Sequence, residues 1–235
     1  KPPAARNRRV LSHPFYAALV ASADRSDGSA TIVVGAGSAG CVLAARLSGD
    51  PACSVTLVEA GPGLAPGDLE GPLGGPDFLA ALEVPERTFP SLMATRATGG
   101  PTSVYARGRG VGGSSAVNAM LALHGDPELY RSWGWDDTGA AWAAIELPEE
   151  QADEAELGGV DRALLAAAAD AERALLTRRA GRRVTSAEAS LWPALERENL
   201  VVRVDSPVDR IVVDGRRAIG VVLAAGEVMS ADRVV

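Results

Sequence analysis

Ala30-Thr31-Ile32-Val33-Val34-Gly35-Ala36-Gly37-Ser38-Ala39-Gly40 reads as an apolar strand, a glycine turn and the opening of a helix. A second apolar run, Ser54-Val55-Thr56-Leu57-Val58, ends in Glu59, nineteen residues after Gly40. Strand, GxGxxG turn, helix, strand and acid in that order describe a βαβ unit that binds a dinucleotide. Gly35 permits the tight turn out of the strand, Gly37 lets backbone N–H groups approach a pyrophosphate, and Gly40 lets the helix lie close on the sheet. The helix that follows, through Val42, Leu43, Ala45 and Leu47, directs its positive end at the phosphates. Glu59 can accept from both ribose hydroxyls, and its charge repels a 2′-phosphate, which argues against NADP while leaving NAD and FAD open. The glycines alone would also suit a turn shaped by packing; the strand, helix and acid around them favour the dinucleotide.

A second glycine cluster, Arg107-Gly108-Arg109-Gly110-Val111-Gly112-Gly113-Ser114-Ser115-Ala116-Val117-Asn118-Ala119-Met120, bears on the choice of ligand. Consecutive glycines before two serines leave a concave run of unshielded N–H groups with small hydroxyls at a helix start, which suits an anion or an electron-rich ring edge. Asn118 adds an amide that both donates and accepts. The bland alternative is a glycine turn capping an ordinary buried helix. Arg107 and Arg109 either offset phosphate charge or are solvated loop arginines.

Taken together, the GxGSAGCVLAxRLS stretch, the VEAGP stretch around Glu59 and Ala60, and GRGVGGSSAVNAM resemble the glucose-methanol-choline (GMC) oxidoreductases. A third region, 181–189 with 197–202, 208–211 and 217–221, is similar to that family's extended chain running back to the cofactor. The resemblance covers residues 31–235, with a poorer match in the middle. It implies FAD as cofactor and hydride transfer from an alcohol to the flavin. Ser38 and Ala39 in the first motif, Ala60 after Glu59, and Arg107 and Gly108 in the second motif join the expected FAD site. Gly112, Gly113, Asn118 and Ala119 are expected along the flavin and its pyrophosphate, Val208 against the adenine, and Ser114 and Met120 among the remaining cofactor-binding residues. In a strand, Val208 reads equally as an ordinary half-buried valine.

The expected fold is α/β: a Rossmann-like FAD-binding domain with a parallel sheet and a three-stranded β-meander crossover. Residues 1–29, with Lys1, Arg6, Arg8 and Arg9, form a basic arm without signal-peptide quality. The domain spans 30–235. Within it, Gly- and Pro-rich 61–101 resists helix and strand and reads as a loop that either wraps the cofactor or is partly disordered. Residues 126–198 read as a partly helical insertion. Asp126 caps a helix with Pro127 at its first position, the acidic 149–156 reads as a solvated linker, and a helix over 161–178 carries Leu164, Ala168, Ala171 and Leu175. Thr185 and Glu188 form a capping-box pattern for a helix that Pro193 interrupts. Residues 200–204, 208–213 and 218–223 read as three short strands, the last two joined at Asp214-Gly215.

The chain has 235 residues, 47% of them hydrophobic and only 4% aromatic, so Ala, Val and Leu must build its core. A net charge of -7 opposes nucleic-acid binding. No stretch approaches the ~20 apolar residues of a membrane span. Cys41 and Cys53 form no CxxC pair and fit a reducing, cytoplasmic setting, with Cys41 a packing residue. His13 and His124 have no partners at ligand spacing, so no metal is expected.

Residues 231–235 begin another buried strand, from which we expect a longer polypeptide or completion by a partner. In the family the histidine that takes the alcohol proton lies in a later half. Neither His13 nor His124 matches its motif; His124 stands where relatives commonly carry arginine, so no catalytic residue is assigned. The partners expected are a small-molecule alcohol and an electron acceptor left undefined among oxygen, a quinone and another protein. Two alternatives stand beside the alcohol oxidoreductase. One is a non-catalytic FAD-binding module or subunit, and the other is an NAD-dependent dehydrogenase.

Overall fold

A computed structural model describes residues 29–136, 138–145, 147–168 and 170–235. The expected arm, with His13, lies outside the described residues apart from Ser29. The chain enters as β1 (Ser29–Val34), turns at Gly35 into α1 (Ser38–Leu47) and returns as β2 (Cys53–Val58). These two strands pair in parallel, with Ile32 opposite Thr56 and Val34 opposite Val58. β9 (Leu200–Arg203) joins the outer side of β2, and β13 (Arg233–Val234) the outer side of β1, giving a four-stranded parallel sheet in the order β13-β1-β2-β9.

Both faces of this sheet are covered, which is why its strands are near-continuous apolar runs rather than alternating ones. Val33, Val55 and Leu57 turn to one face, where they pack with Cys41 and Ala44 of α1 and with Val111, Ala116, Ala187 and Leu191. Ile32 and Val58 turn to the other and meet Val221, Leu223 and Ala231. Each fully buried Val or Leu contributes about 1.5–3 kcal/mol, so the core is assembled from many modest terms.

The second face belongs to an antiparallel meander of β10 (Val208–Asp214), β11 (Arg217–Leu223) and β12 (Val228–Ser230), which carries the chain from β9 back to β13. The expected crossover is therefore present, but its strands differ from the reading of 200–223 as three successive strands of one kind. Residues 200–203 belong to the parallel sheet and β12 is the third meander strand. A period-two pattern identifies a strand and says nothing about its partner. In the β10–β11 turn, Asp214 pairs with Arg217, so Gly215 and Arg216 form the two-residue loop, with Gly215 at φ +58°.

Between β2 and β9 the chain departs from expectation in three places. Residues 61–101 are not all loop: they hold a 3₁₀ turn at Pro66–Glu70, the short helix α2 (Phe78–Leu82) and β3 (Met93–Thr95), which pairs with β4 (Thr102–Val104). Leu64, Leu69, Leu73 and Ala81 of this segment join the main core, and that burial overrides a turn-rich composition. After α3 (Pro127–Ser132), where Asp126 accepts from the Glu128 N–H at 2.8 Å, comes α4 (Thr138–Ile145). The expected helix over 161–178 is shorter, α5 (Gly159–Ala167), because Ala168 is extended and Leu175 pairs with Gln151. Those residues form β5 (Glu150–Gln151) and β6 (Leu175–Leu176). Five of the seven residues after Leu164 are alanine, whose indifference to burial makes helical periodicity uninformative there.

The acidic stretch is likewise more than a solvated linker. Arg178, in β7 (Arg178–Arg179) and only 2% exposed, takes both oxygens of Glu156 at 2.7 and 2.8 Å and the Gln151 carbonyl at 2.8 Å. β7 pairs with β8 (Arg182–Arg183). Thr185 then starts a helical segment as expected, its Oγ1 accepting from the Glu188 N–H at 3.1 Å. Glu188 itself turns to Arg182 instead of closing the box. The segment changes at Pro193 from a π turn (Ala187–Leu191) to a 3₁₀ turn (Trp192–Ala194).

Candidate cofactor site

The two glycine clusters, more than fifty residues apart in sequence, meet backbone to backbone. A Cβ on Gly113 would lie 2.6 Å from the Gly37 Cα. The Gly112 N–H donates to the Ala36 carbonyl at 2.8 Å. Glu59, 5% exposed at the end of β2, ties the same segments together. Its Oε2 accepts from Ala36 N at 2.7 Å, and its Oε1 accepts from Gly61 N and Gly110 N, both at 2.9 Å. A carboxylate offers about four lone-pair sites, so three amides leave room for about one ribose hydroxyl rather than two.

Gly37 and Gly40 are glycine for different reasons. A Cβ at Gly40 would collide with the Gly35 carbonyl, so close packing of α1 on its own turn demands glycine there. Gly37 has ordinary extended dihedrals, φ -76° and ψ -166°, and a Cβ there would meet nothing within 4 Å. Among the described residues, no atom requires glycine at that position. The open space lies at the N-terminus of α1, where no side chain caps the helix and the first N–H groups have no partner within it. That space fits a pyrophosphate.

Beside it lies a cleft of about 490 Å³, lined by Ser38, Ala39, Val42, Leu43, Arg46, Ser115, Asn118, Trp142, Ile145, Leu147, Thr177, Val184 and Ser186. Asn118 is set by its neighbours. Its Oδ1 accepts from the Met120 N–H at 3.0 Å and from Arg183 Nη1 at 2.9 Å, which leaves the amide hydrogens as the donors it can offer the cleft. Ser115 Oγ donates to the Gly112 carbonyl at 2.6 Å and accepts from the Ser186 N–H at 3.1 Å. Ser114 Oγ accepts from the Gly108 N–H at 3.1 Å, closing the second cluster on itself. Met120 is buried with φ +60°, whereas Ala119 is exposed.

The remaining residues singled out in the sequence do not line the cleft. Arg109 donates to the Ala60 carbonyl at 2.8 Å and so pins the strand exit to the second cluster. Arg107 is exposed and lies over the Tyr105 ring, 3.6 Å from its centre. Val208 packs with Ile32 and Val58 on the meander face. The Ser206 N–H, two residues earlier, donates to the Glu59 carbonyl at 2.8 Å, which brings the start of β10 to the end of β2. Cys41 is fully buried in α1, and burial pushes its thiol up to about 11, so it stays protonated at neutral pH. His124 borders a neighbouring pocket of about 460 Å³, with Nε2 2.7 Å from Glu149 Oε1 and its ring stacked on Trp142 at 4.7 Å.

Similarity to known proteins shows the family. The GMC oxidoreductase family model matches residues 29–177. The chain belongs to the GMC oxidoreductases. This GMC chain is 29% identical over 250 residues to mitochondrial choline dehydrogenase of Homo sapiens, covering 86% of itself and 41% of that protein. It is 34% identical over 245 residues to a GMC-type oxidoreductase of Rhodococcus erythropolis, covering 87% of itself and 49% of that relative. Among solved structures, pyridoxine 4-oxidase from Mesorbium loti superposes with a TM-score of 0.74 at 28% identity, over 88% of this chain and 48% of that one. The GMC chain thus spans less than half the length of these relatives.

FAD is the cofactor of the family, and the residues present fit it: open space at Gly37, free N–H groups opening α1, and an aligned amide at Asn118. The second cluster's two serines include Ser115, but nothing in the sequence marks Thr177, Arg183 or Ser186 for the cleft. Their places depend on β8 returning against the second cluster, a long-range contact with no local signature.

Among the described residues no group of three His, Cys, Asp or Glu stands together as a metal site. No helix is long and apolar enough to cross a membrane, again among the described residues.

Proposed function

We propose that this chain holds FAD for an enzyme that takes hydride from the carbon of a primary or secondary alcohol, with the flavin ring in the cleft beside Ser115 and Asn118. The observation that carries the reading is the backbone contact between Gly113 and Gly37, which makes two glycine clusters one cradle. Gly35, Gly37, Ser38, Ala39 and Gly40 form the phosphate end, where the N-terminus of α1 favours negative charge. Glu59 accepts from a ribose hydroxyl with its remaining lone pair, next to Ala60, while Val208 borders the adenine. Gly112, Gly113, Ser114, Ala119 and Met120 flank the flavin, and Asn118 donates to it. Arg107 and Gly108 contribute at the outer side of the phosphates, and 61–101 covers them.

FAD, when bound, supplies the hydride acceptor. The alcohol proton requires a base poised near neutral pH, and none of the described residues is assigned to it. His124 is engaged with Glu149 in the neighbouring pocket. Relatives named choline dehydrogenase, alcohol dehydrogenase and pyridoxine 4-oxidase support an alcohol as substrate class. The unpaired, buried Cys41 and Cys53 support a reducing compartment, and we assign the protein to the cytoplasm.

Visible absorbance of the purified full-length protein tests the reading. Flavin bands that bleach when an alcohol is added are expected. Flavin bands inert to every alcohol would leave only a binding module, and a colourless protein that binds NAD would replace the cofactor. Gly37→Val is expected to lose flavin because the branched side chain fills the pyrophosphate position; unchanged flavin content in that variant removes the assignment.

A further inference from the structure

Three arginines close in sequence meet different fates. Arg178 is neutralised by Glu156, and Arg182 by Glu188 at 2.5 Å. Arg183 is 0% exposed and has no carboxylate within ion-pair distance among the described residues. Its Nη1 donates to the Ser115 carbonyl at 3.2 Å and to Asn118 Oδ1 at 2.9 Å. Nε and Nη2 are buried without partners among the described residues. Desolvation alone pulls this guanidinium down to about 10, still far enough up to keep it charged at neutral pH. A buried charge is ordinarily paired, because leaving it unpaired is costly. Here the compensating charge is not in the described chain, and both acceptors Arg183 holds, Ser115 and Asn118, line the cleft.

We propose that Arg183 is a positioning residue with an electrostatic role: from behind the cleft wall it fixes Asn118 and favours negative charge on the flavin, and so favours the reduced cofactor. The proposal rests on the reading of the cleft as the FAD site. Reduction by hydride adds negative charge to the flavin, and a cation in a water-poor wall favours that state more than the oxidised one. A residue that only supports the wall would alter how much FAD is retained without changing the preference between the two oxidation states.

The test is the midpoint potential of FAD in the full-length protein, measured by equilibration with a redox dye in wild type, Arg183→Met, Arg183→Gln and Arg183→Lys. The neutral variants are expected to lower the preference for reduced over oxidised FAD about tenfold, which for a two-electron couple is about 30 mV. Arg183→Lys, which keeps the charge and loses the fork that grips Asn118, is expected to stay within about threefold of wild type. Should Arg183→Met emerge without flavin, Arg183→Gln, which retains donors, makes the same comparison. A potential unchanged in the neutral variants, or lowered equally in Arg183→Lys, overturns the proposal; so does loss of flavin from all three variants, which would mark a wall support. A wild type without flavin would instead remove the reading of the cleft, and this proposal with it.

Discussion

The cradle around α1 and the stretch from Asp126 to Ala167 show two ways of using a chain. In the cradle, Ala36, Gly37, Glu59, Gly110, Gly112 and Gly113 fix one another through buried hydrogen bonds and direct backbone contact. In the second stretch, α3, α4 and α5 bury none of their described residues; Leu164 is 62% exposed, and Trp133 and Trp135 stand open while packing on Tyr130. Its order comes from polar anchors such as Arg178 with Glu156. A cofactor common to a family sets strict demands on backbone shape, so the cradle is over-determined. The second stretch rests on a few side-chain pairs and has freedom to differ between relatives.

The sharpest break in that comparison separates Gly40 from Gly37, three residues apart. Gly40→Ala forces a Cβ into the Gly35 carbonyl and is expected to cost more than about 3 kcal/mol, enough to unfold a marginal domain. Gly37→Ala meets open space and is expected to leave FAD-free stability within about 0.5 kcal/mol while weakening flavin retention. Urea melts of both apoproteins measure this. Equal destabilisation by the two would show that Gly37 serves packing. Next in size is Glu59→Gln. It turns one acceptor oxygen into a donor facing backbone N–H groups, and is expected to cost about 1–3 kcal/mol in the absence of FAD. Stability unchanged in the same melts would mean that the amides find other acceptors and that Glu59 serves the ligand alone.

How much of this was legible in the sequence follows from the range of the interactions. Gly35, Gly37, Gly40 and Glu59 could be read because one strand-turn-helix unit carries its own geometric demands. The parallel sheet followed from the same unit. Which strands formed the meander could not be read, since β9 and β10 share a period of two and differ only in their partners. The sequence marks Glu59 as a ribose acceptor and carries no sign of its three amide donors, because two of them, Ala36 and Gly110, reach it from distant segments. Arg183 falls within 181–189, which the sequence marks only as extended chain. Nothing local distinguishes a guanidinium that ends fully buried from one, like Arg182, that meets Glu188 at a half-exposed position.

The smallest expected effect lies in the second stretch. Arg178 holds Glu156 well below the usual carboxylate range, from 4.5 to about 2, chiefly through their hydrogen bonds. A carboxyl whose folded value is depressed contributes stability that is fully present above the unfolded value and lost as pH falls through the folded one. Wild type should therefore lose stability through this group between about pH 4.5 and pH 2, whereas Glu156→Gln, which does not titrate, should show a flatter profile there. Because Glu156 is exposed, added salt should shrink the difference between the two proteins. Thermal melts of both from pH 6 down to pH 3, at low and high salt, measure it. Parallel profiles would mean that the Gln151 carbonyl and neighbouring Glu150 hold Arg178 without Glu156, and that the stretch from Asp126 to Ala167 is anchored elsewhere.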